Sequence, residues 1–369
     1  MTDTPHHRDD SGLPADSPAD PIVESQAPRI DRRRRSWFRR HKVLTSLLSV
    51  LLVFLLGVGG FAWWLNQSLG DIKRIPVTLP EQDRPVPAQP EDINLLFMGT
   101  DAGSERNRDG RSILEDAASG NWPAGKYRSD ATMVVHIPAD KSSVTVMAIP
   151  RDSYVTMYDD TGRQLGKNKI NAALSLYGPS GAISTVENLT HLRIDHIAMV
   201  DWDGFRAITD ALGGVTMTTD TGTAKFGGQA ALDYVRERYT VKGGDFGRIQ
   251  RQQNFMRAVV AQLLSSDTVT NPVKLTKTVS AVTKNLAVDE GWTNGQIRSL
   301  ALSMRSLRTG DIRFLTVPVL GTGMVDKMSI VRLDDDGVAE LFGAVDDGSL
   351  DSYLDLHSDL LLPPASQVD

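Results

Sequence analysis

The 369-residue chain contains no cysteine. Disulfide bonds, thiolate nucleophiles and cysteine-ligated metal sites are therefore excluded. The sequence also lacks the G-x-x-x-x-G-K-[ST] pattern of P-loop NTPases. It contains His136, His191 and His196 in the main part of the chain, but no G-x-S-x-G turn of a serine hydrolase accompanies them. An NTPase and a serine hydrolase are both disfavoured, and the composition suits an exported protein that folds without disulfides.

An overall excess of positive charge is also missing. Residues 1–42 carry nine Lys and Arg against seven Asp and Glu, whereas the remaining chain carries 31 against 39. Binding to nucleic acid normally needs a basic face. The mildly acidic main part of the chain therefore argues against a nucleic-acid partner.

One long uncharged run, residues 43–65, interrupts the sequence. As a helix its 23 residues would extend roughly 35 Å, enough to cross a hydrocarbon core of ~30 Å. Phe61, Trp63 and Trp64 lie at its end, where an interfacial aromatic belt is expected. A cleaved signal peptide, the alternative, would have a shorter apolar core and a small-residue cleavage site. The run therefore predicts a single transmembrane helix, and the arginines before it place the N-terminus in the cytoplasm and the rest outside the plasma membrane.

The flanking segments differ in composition from the main domain. Residues 1–42 are predicted to be a disordered, basic cytoplasmic tail. Residues 66–91 contain five prolines and predict an extended extracytoplasmic spacer. The folded domain is expected at 92–369, with an acidic, peripheral C-terminal end.

Short apolar, β-branched runs alternate with helical patterns after residue 92. Strands are predicted at 93–98, 131–137, 143–149, 194–200 and 312–317. Helices are predicted at 170–177, 181–190, 202–212, 249–264, 271–286 and 293–307. This mixture predicts an α/β fold, an α-β-α sandwich with a central mixed, partly antiparallel sheet.

The ends of three predicted strands carry polar residues. The link 138–142 is too short for a parallel crossover, so strands 131–137 and 143–149 should be antiparallel. A long polar loop without a clear helix joins strands 93–98 and 131–137. If that pair is antiparallel too, Asp101, Asp130, Arg151 and Asp152 converge at one edge. Paired carboxylates suit Mg²⁺, although Asp101 and Asp130 could equally be turn or cap residues.

A second group of basic residues lies in residues 231–253. An extended segment 234–239 would point Arg236 and Arg238 to one face. A helix opening near Asp245, a plausible N-cap, would align Arg248 in its first turn with Arg251 and Gln252. Arginine suits bidentate recognition of phosphate, which is favoured near a helix N-terminus. The alternative is a solvated helix face with surface ion pairs to Asp233 and Glu237.

These segments together resemble the LytR-CpsA-Psr family of cell-wall glycopolymer ligases. The resemblance runs in order over about 160 residues, as expected of shared motifs rather than composition. The matching stretches are NLLFMGTDAG, YRSDATMVVHI, VTVMAIPRDSYV, KINAALSLYG, IDHIAMVDWDGF, ALGGV, GGQAALDYVRERY and GDFGRIQRQQNF.

The resemblance implies an enzyme that transfers a sugar-phosphate, with its attached polymer, from a polyprenyl-pyrophosphate carrier to peptidoglycan. It implies Mg²⁺ (or Mn²⁺) held by Asp101 and Asp130, and an apolar pocket behind the sheet for the lipid tail. It also implies contacts to the pyrophosphate from Arg151, Arg236, Arg238, Arg248 and Gln252. We expect a carboxylate, Asp130 or Asp152, to accept the proton of the attacking hydroxyl.

Two other functions fit the same residues. A lipid-carrier pyrophosphohydrolase would use water as the acceptor. A non-catalytic membrane regulator would bind the lipid carrier and form no product. The glycopolymer, the acceptor hydroxyl and the role of the long 102–129 loop are not specified by the sequence.

Overall fold

The computed structural model describes residues 42–87, 89–100, 111–237 and 244–368. It forms two compact units, one up to Gly60 and one from Phe61 onward. The first unit is described as helical backbone over 42–60, the beginning of a helix α1 with bounds Lys42–Leu69. In the described part of the chain, no helix combines the length and the apolarity that a membrane crossing requires. The transmembrane helix at 43–65 stays a prediction. Residues 1–41 of the predicted tail lie outside the described residues.

Seven strands of the described chain form one mixed sheet. They are β1 (Lys73–Ile75), β2 (Ile93–Thr100), β3 (Ser129–Ile137), β4 (Val144–Ile149), β7 (His196–Val200), β10 (Ala287–Asp289) and β11 (Ile312–Thr316). Their order in the sheet is β1-β10-β7-β2-β3-β4-β11. Strand β2 is antiparallel to β3, and β3 is antiparallel to β4, the second of which the link 138–142 predicts. The pairs β2–β7 and β4–β11 are parallel. All five predicted strands belong to this sheet and are confirmed.

Among the residues that the structure describes, three two-stranded hairpins lie outside the sheet, and they were not predicted. They are β5 (Tyr154–Tyr158) with β6 (Gln164–Lys169), β8 (Val215–Thr219) with β9 (Gly222–Phe226), and β12 (Val319–Val325) with β13 (Met328–Leu333). The first and third are attached to each other, because Ser153 bridges Val331. Their strands are short or glycine-containing, which weakens the sequence signal.

The helices after α1 cover both faces of the sheet. They are α2 (Ile113–Ala118), α3 (Asn171–Thr190), α4 (Trp202–Ala211), α5 (Gly228–Arg236), α6 (Gly244–Leu263), α7 (Ser266–Thr270), α8 (Pro272–Lys284), α9 (Asn294–Ser303), α10 (Asp335–Asp346) and α11 (Leu350–Leu356). On one face, Leu96 and Met147 pack with α2, α3, α10 and α11. On the other, Met133 and Val146 pack with α6 and α9. The predicted α/β sandwich with a mixed central sheet is therefore confirmed.

The predicted spacer is part of the folded domain instead. Strand β1 pairs with β10 at the edge of the sheet, and Ile75 is fully buried. Arg84 donates hydrogen bonds to the buried carboxylate of Glu187 on α3. The segment contains a 3-10 helix at Glu81–Asp83, and its apolar side chains Ile75, Val77 and Leu79 pack in the core. A domain start near Asp92 is thus wrong by about twenty residues.

The C-terminal end is not peripheral. Helix α10 places Val338, Leu341 and Phe342 in the main core, and α11 adds Leu350 and Leu354. Its acidic residues lie on the other faces of these amphipathic helices, where they dominate the composition. Net charge therefore concealed the apolar stripe that determines packing.

The polar loop before β3 does contain a helix. Helix α2 begins after a capping box in which Ser112 accepts from the Glu115 backbone and the Glu115 side chain accepts from the Ser112 backbone. The following Trp122 donates to the backbone oxygen of Ser175 on α3 (3.1 Å) and packs against Tyr127. The sequence pattern S-x-x-E was the signal for this helix. Helix α2 thus packs beside β1 and β10, and residues 122–125 contact α3 before the chain enters β3.

Candidate active site

One edge of the central sheet gathers residues from three chain segments. Because β2–β3 and β3–β4 are antiparallel, the end of β2, the beginning of β3 and the end of β4 lie together. Thr100 pairs with Ser129, and Thr132 pairs with Ile149. Asp130 and Arg151 therefore meet as predicted, and an Arg151 Nη1 donates to Asp130 Oδ1. Asp101, the first residue after β2, lies outside the described residues.

Asp130 occupies a β-bulge. Gly99 pairs with Ala131 and Thr100 with Ser129, so Asp130 is the extra residue between two paired ones. A bulge bends its strand and redirects the side chain of the extra residue. The carboxylate of Asp130 thereby faces Arg151 across the edge while Ala131 stays on the face of the sheet.

Two cations hold the second carboxylate of this edge. Asp152 lies 3.5 Å from Arg151 Nε through Oδ2 and 3.1 Å from Lys169 Nζ through Oδ1. The backbone fixes this arrangement, since Ile170 N–H donates to Ser153 O (2.8 Å) and Asn171 N–H to Arg151 O (3.2 Å). Lys169 was missed by the sequence reasoning, although it begins the matching stretch KINAALSLYG. Negative and positive groups therefore alternate along the site: the carboxylate of Asp130, the guanidinium of Arg151, the carboxylate of Asp152 and the ammonium of Lys169.

The donor atoms at this edge are compatible with Mg²⁺. Among the described residues, no cluster of three or more His, Asp or Glu could by itself enclose a metal ion. Mg²⁺ does not need such a cluster, because it usually binds one or two carboxylates together with water and substrate phosphates. Asp130 offers one partly exposed carboxylate, and Asp101 would offer the other.

Helix α6 turns its arginines inward. Arg248 and Arg251 are only 4% and 7% exposed, and Gln252 is half-buried on the same side. The guanidinium of Arg251 lies 4.8 Å from the ring centroid of Tyr234, a cation–π distance. The solvated-face interpretation is therefore wrong. Two details also change, because α6 already begins at Gly244: Asp245 lies inside its first turn rather than at the cap, and Arg248 follows that turn.

Arg236 is the last residue of helix α5 rather than part of an extended segment. Its guanidinium lies 5.7 Å from the ring centroid of Trp202 on α4. The period-two argument for Arg236 and Arg238 is thus wrong for Arg236, and Arg238 lies outside the described residues. The sequence ALDYVR has good helix formers at its start, which was the signal for a helix here.

An apolar cavity of about 60 Å³ lies between the sheet and helices α4, α5 and α6. Its walls are formed from the sheet and from aromatic residues of the helices: Phe97, Gly99, Thr100, Ala131, Met133, Val200, Asp201, Trp202, Phe205, Val235, Gln252, Phe255 and Met256. The volume corresponds to about two water molecules.

Asp201, one of the lining residues, is a buried carboxylate. Burial raises its pKa, and it caps α4 by accepting from Gly204 N–H (2.8 Å).

The lining of this cavity leads to the charged residues of the site. Thr100 precedes Asp101, Ala131 follows Asp130, and Val235 precedes Arg236. Gln252 lines the cavity itself and follows the buried Arg251. An apolar space thus adjoins residues suited to bind phosphate and metal.

Comparison with known proteins gives a consistent result. The model of the LytR_cpsA_psr family matches residues 76–345. The chain is 33% identical to the cell wall biosynthesis protein LcpA of Corynebacterium glutamicum, over 72% of this chain and 60% of that protein. It is 27% identical to the polyisoprenyl-teichoic acid–peptidoglycan teichoic acid transferase TagU of Enterococcus faecalis, over 79% of this chain and 91% of that protein.

A solved structure has the same fold. The crystal structure of Bacillus subtilis TagV superposes with a TM-score of 0.54 over 71% of this chain and 98% of that chain, at 24% identity. The likeness covers the α/β domain described above and shows the fold.

Proposed function

Because the chain belongs to the LytR_cpsA_psr family, we propose that it is a transferase that links an anionic glycopolymer to peptidoglycan through a phosphodiester. The donor is a polyprenyl-pyrophosphate-linked glycan. The names of LcpA and TagU support this function, since they refer to cell wall biosynthesis and to transfer of teichoic acid to peptidoglycan. The chain spans 60% of the length of LcpA. The activity of that whole protein is therefore a proposal for this chain.

One observation carries the proposal: an apolar cavity adjoins an edge of alternating charges. A polyprenyl pyrophosphate has the same two parts, a hydrocarbon chain and a diphosphate. Phe97, Met133 and Phe205 offer apolar surface to the chain, and Arg151 and Arg248 offer guanidinium groups to the diphosphate. Since the cavity holds only about 60 Å³, helices α4 to α6 have to separate from the sheet when the lipid enters.

The reaction is an attack of a peptidoglycan hydroxyl on the sugar-bearing phosphorus. The new oxygen–phosphorus bond replaces the bond to polyprenyl phosphate, which leaves. Arg151, Arg236, Arg238, Arg248 and Gln252 bind the pyrophosphate and stabilise its developing charge. Asp130 or Asp152 accepts the proton of the hydroxyl.

Lys169 belongs to the same group in this proposal. Its ammonium lies 3.1 Å from Asp152, so it orients this carboxylate beside Arg151. Mg²⁺, held by Asp101 and Asp130, would supply further positive charge to the phosphate oxygens.

The protein is proposed to be anchored in the plasma membrane by residues 43–65, with its N-terminus in the cytoplasm and the α/β domain outside.

The test is a transfer assay with the full chain in detergent, Mg²⁺, a labelled polyprenyl-pyrophosphate glycan and peptidoglycan oligomers. Arg151→Ala removes the guanidinium that joins Asp130 and Asp152. Loss of one donor that stabilises developing charge typically lowers turnover by about 10²–10³-fold. Asp130→Asn, which keeps the shape of the side chain, should lower turnover and weaken its dependence on Mg²⁺.

Arg163→Ala is the matched control, because Arg163 is 74% exposed and pairs only with the hairpin residue Asp159 among its described contacts. Unchanged turnover in Arg151→Ala would contradict the mechanism. The products separate the other two functions: a pyrophosphohydrolase releases free sugar-phosphate without attaching it to peptidoglycan. A non-catalytic regulator binds the donor and forms no product.

A further inference from the structure

A second, larger cavity lies on the other side of helix α6. It is an open groove of about 660 Å³, within the size range of ligand pockets, roughly 300–1,000 Å³. Phe246, Gln250 and Gln253 of α6 line it, on the face opposite to Arg248 and Arg251. The other walls are the segment after β11, the N-terminal half of α10, and residues 353–363.

The groove begins beside the charged edge of the sheet. Val317, in its wall, donates its N–H to Ala148 O (3.0 Å), and Ala148 lies three residues before Arg151. Val331 N–H donates to Asp152 O (2.8 Å), and Asp334, in another wall, follows three residues later. Three residues of extended chain span at most about 10 Å and the hydrogen bond adds about 3 Å, so both walls start within about 13 Å of Arg151 or Asp152.

The charges of the groove exclude the donor substrate. Its charged lining residues, among those the structure describes, are Asp334, Asp336, Glu340 and Asp359, with His357 as the only further titratable base. A pyrophosphate or an anionic polymer would be repelled by such a surface. Asp334 also caps α10 at Gly337, so the helix N-terminus is already occupied by a carboxylate.

The groove instead suits a ligand rich in hydroxyl and amide groups. Carboxylates are pure acceptors and can each take several hydrogen bonds from such donors. Asp336 and Glu340 lie four residues apart on one face of α10, an arrangement that disfavours the helix on its own. The rings of Tyr353 and His357 stack on each other at a centroid distance of 4.3 Å and add aromatic surface to the lining.

We infer that this groove binds the glycan strand of the peptidoglycan acceptor and delivers its hydroxyl to the edge at Arg151. The inference rests on the proposed function, because it assigns the acceptor of that reaction. The donor then occupies one side of α6 and the acceptor the other. Negative charge in the groove keeps the anionic donor out of the acceptor position.

The test uses the full chain and a soluble, uncharged glycan fragment of alternating N-acetylglucosamine and N-acetylmuramic acid in which the lactyl carboxyl groups are amidated. The variant Asp336→Asn/Glu340→Gln removes two exposed carboxylates from the groove and leaves the cap Asp334 in place. The KM for the glycan should rise about tenfold, the factor that corresponds to about 1.4 kcal/mol, while the KM for the lipid donor stays unchanged. His357→Ala removes part of the aromatic surface and should also raise the KM for the glycan.

Asp355→Asn is the matched control, since Asp355 is an exposed carboxylate of α11 that does not line the groove. Saturation-transfer NMR with the glycan fragment measures binding without any donor. A double variant with the KM and the NMR signal of the wild type would overturn the inference, although transfer itself would stand. A wild-type chain that binds the fragment but never forms product would instead overturn the proposed function and support the groove.

Discussion

Arg84 offers a sharp test of whether residues 66–91 belong to the fold. Its guanidinium donates to Glu187 Oε1 from Nε (3.1 Å) and Nη2 (2.7 Å). Glu187 lies in the middle of the core layer on α3 and is 2% exposed. Its carboxylate also accepts the N–H of Ile194 (2.9 Å). Arg84 thus neutralises a charge that has almost no access to water.

Removing Arg84 should therefore cost more than an ordinary ion pair. The variant Arg84→Met leaves a buried carboxylate without its cation, which typically lowers the free energy of unfolding by about 3–5 kcal/mol. The same substitution removes the donor of the Ile194 carbonyl, which accepts from Arg84 Nη2. Adding Glu187→Leu removes the stranded charge and, beyond Arg84→Met alone, leaves the Ile194 N–H without its acceptor. A buried donor of this kind costs about 1–3 kcal/mol. The double variant should accordingly be more stable than Arg84→Met alone.

The assay is urea unfolding of the full chain in detergent, followed by tryptophan fluorescence. Arg163→Met is the control, because the Arg163 side chain is 74% exposed and Asp159 keeps the hydrogen bonds it accepts from Thr161 and from the backbone of residue 163. The loss should be at most about 1 kcal/mol. If Arg84→Met unfolds like this control, residues 66–91 are a spacer that lies on the surface, and the reasoning from burial is refuted.

Three further predictions concern other parts of the chain. Gly178→Ala should lower the free energy of unfolding by about 1–3 kcal/mol, since Gly178 has φ +67° and a Cβ would lie 3.1 Å from the Trp122 ring; an unchanged melting temperature would contradict this. Burial lowers the pKa of His136 from its ordinary value of 6.5, so the unfolded state binds its proton more readily and stability should fall as the pH drops below that value. Urea unfolding between about pH 7.5 and about pH 5.5 should show this loss, and His136→Asn should show a smaller one. In a chain without other cysteines, Ser142→Cys should react with an impermeant maleimide on intact cells and Ser11→Cys should not; the reverse pattern would contradict the proposed topology.

The central sheet was predictable because helices cover both of its faces and its strands are therefore mostly apolar. Strands β2, β3, β4, β7 and β11 are segments of five to nine residues in which apolar side chains predominate, a pattern that indicates a strand. Strand β1, at the edge of the sheet, and its neighbour β10 have only three residues each and carry no such pattern. They owe their conformation to pairing with each other and with β7, which is a tertiary effect.

The candidate site was predictable where chain connectivity determines it. The short link between β3 and β4 required Asp130 and Arg151 to share an edge. Lys169 was not predictable in this way, because it reaches Asp152 only through the register of the β5–β6 hairpin, where it pairs with Tyr154. The metal and phosphate roles of these residues stay predictions until ligand is bound.

The helical spacing predicted the structure correctly for one arginine group, and the strand spacing predicted it wrongly for the other. On α6, the spacing of Arg248 and Arg251 correctly indicated one helix face, and burial revealed that the face points inward. The strand predicted at Arg236 depended on the spacing of Arg236 and Arg238, and not on the helix propensity of the residues before them. Local propensity would have indicated the helix α5.

The bulge at Asp130 has a consequence for tolerance to sequence change. An extra residue in a bulge has no opposite number on the neighbouring strand, so the alignment of β2 with β3 does not depend on what occupies it. Asp130 therefore lies at a position where strand pairing constrains the side chain least. A single substitution there would remove the proposed catalytic carboxylate and leave the sheet intact.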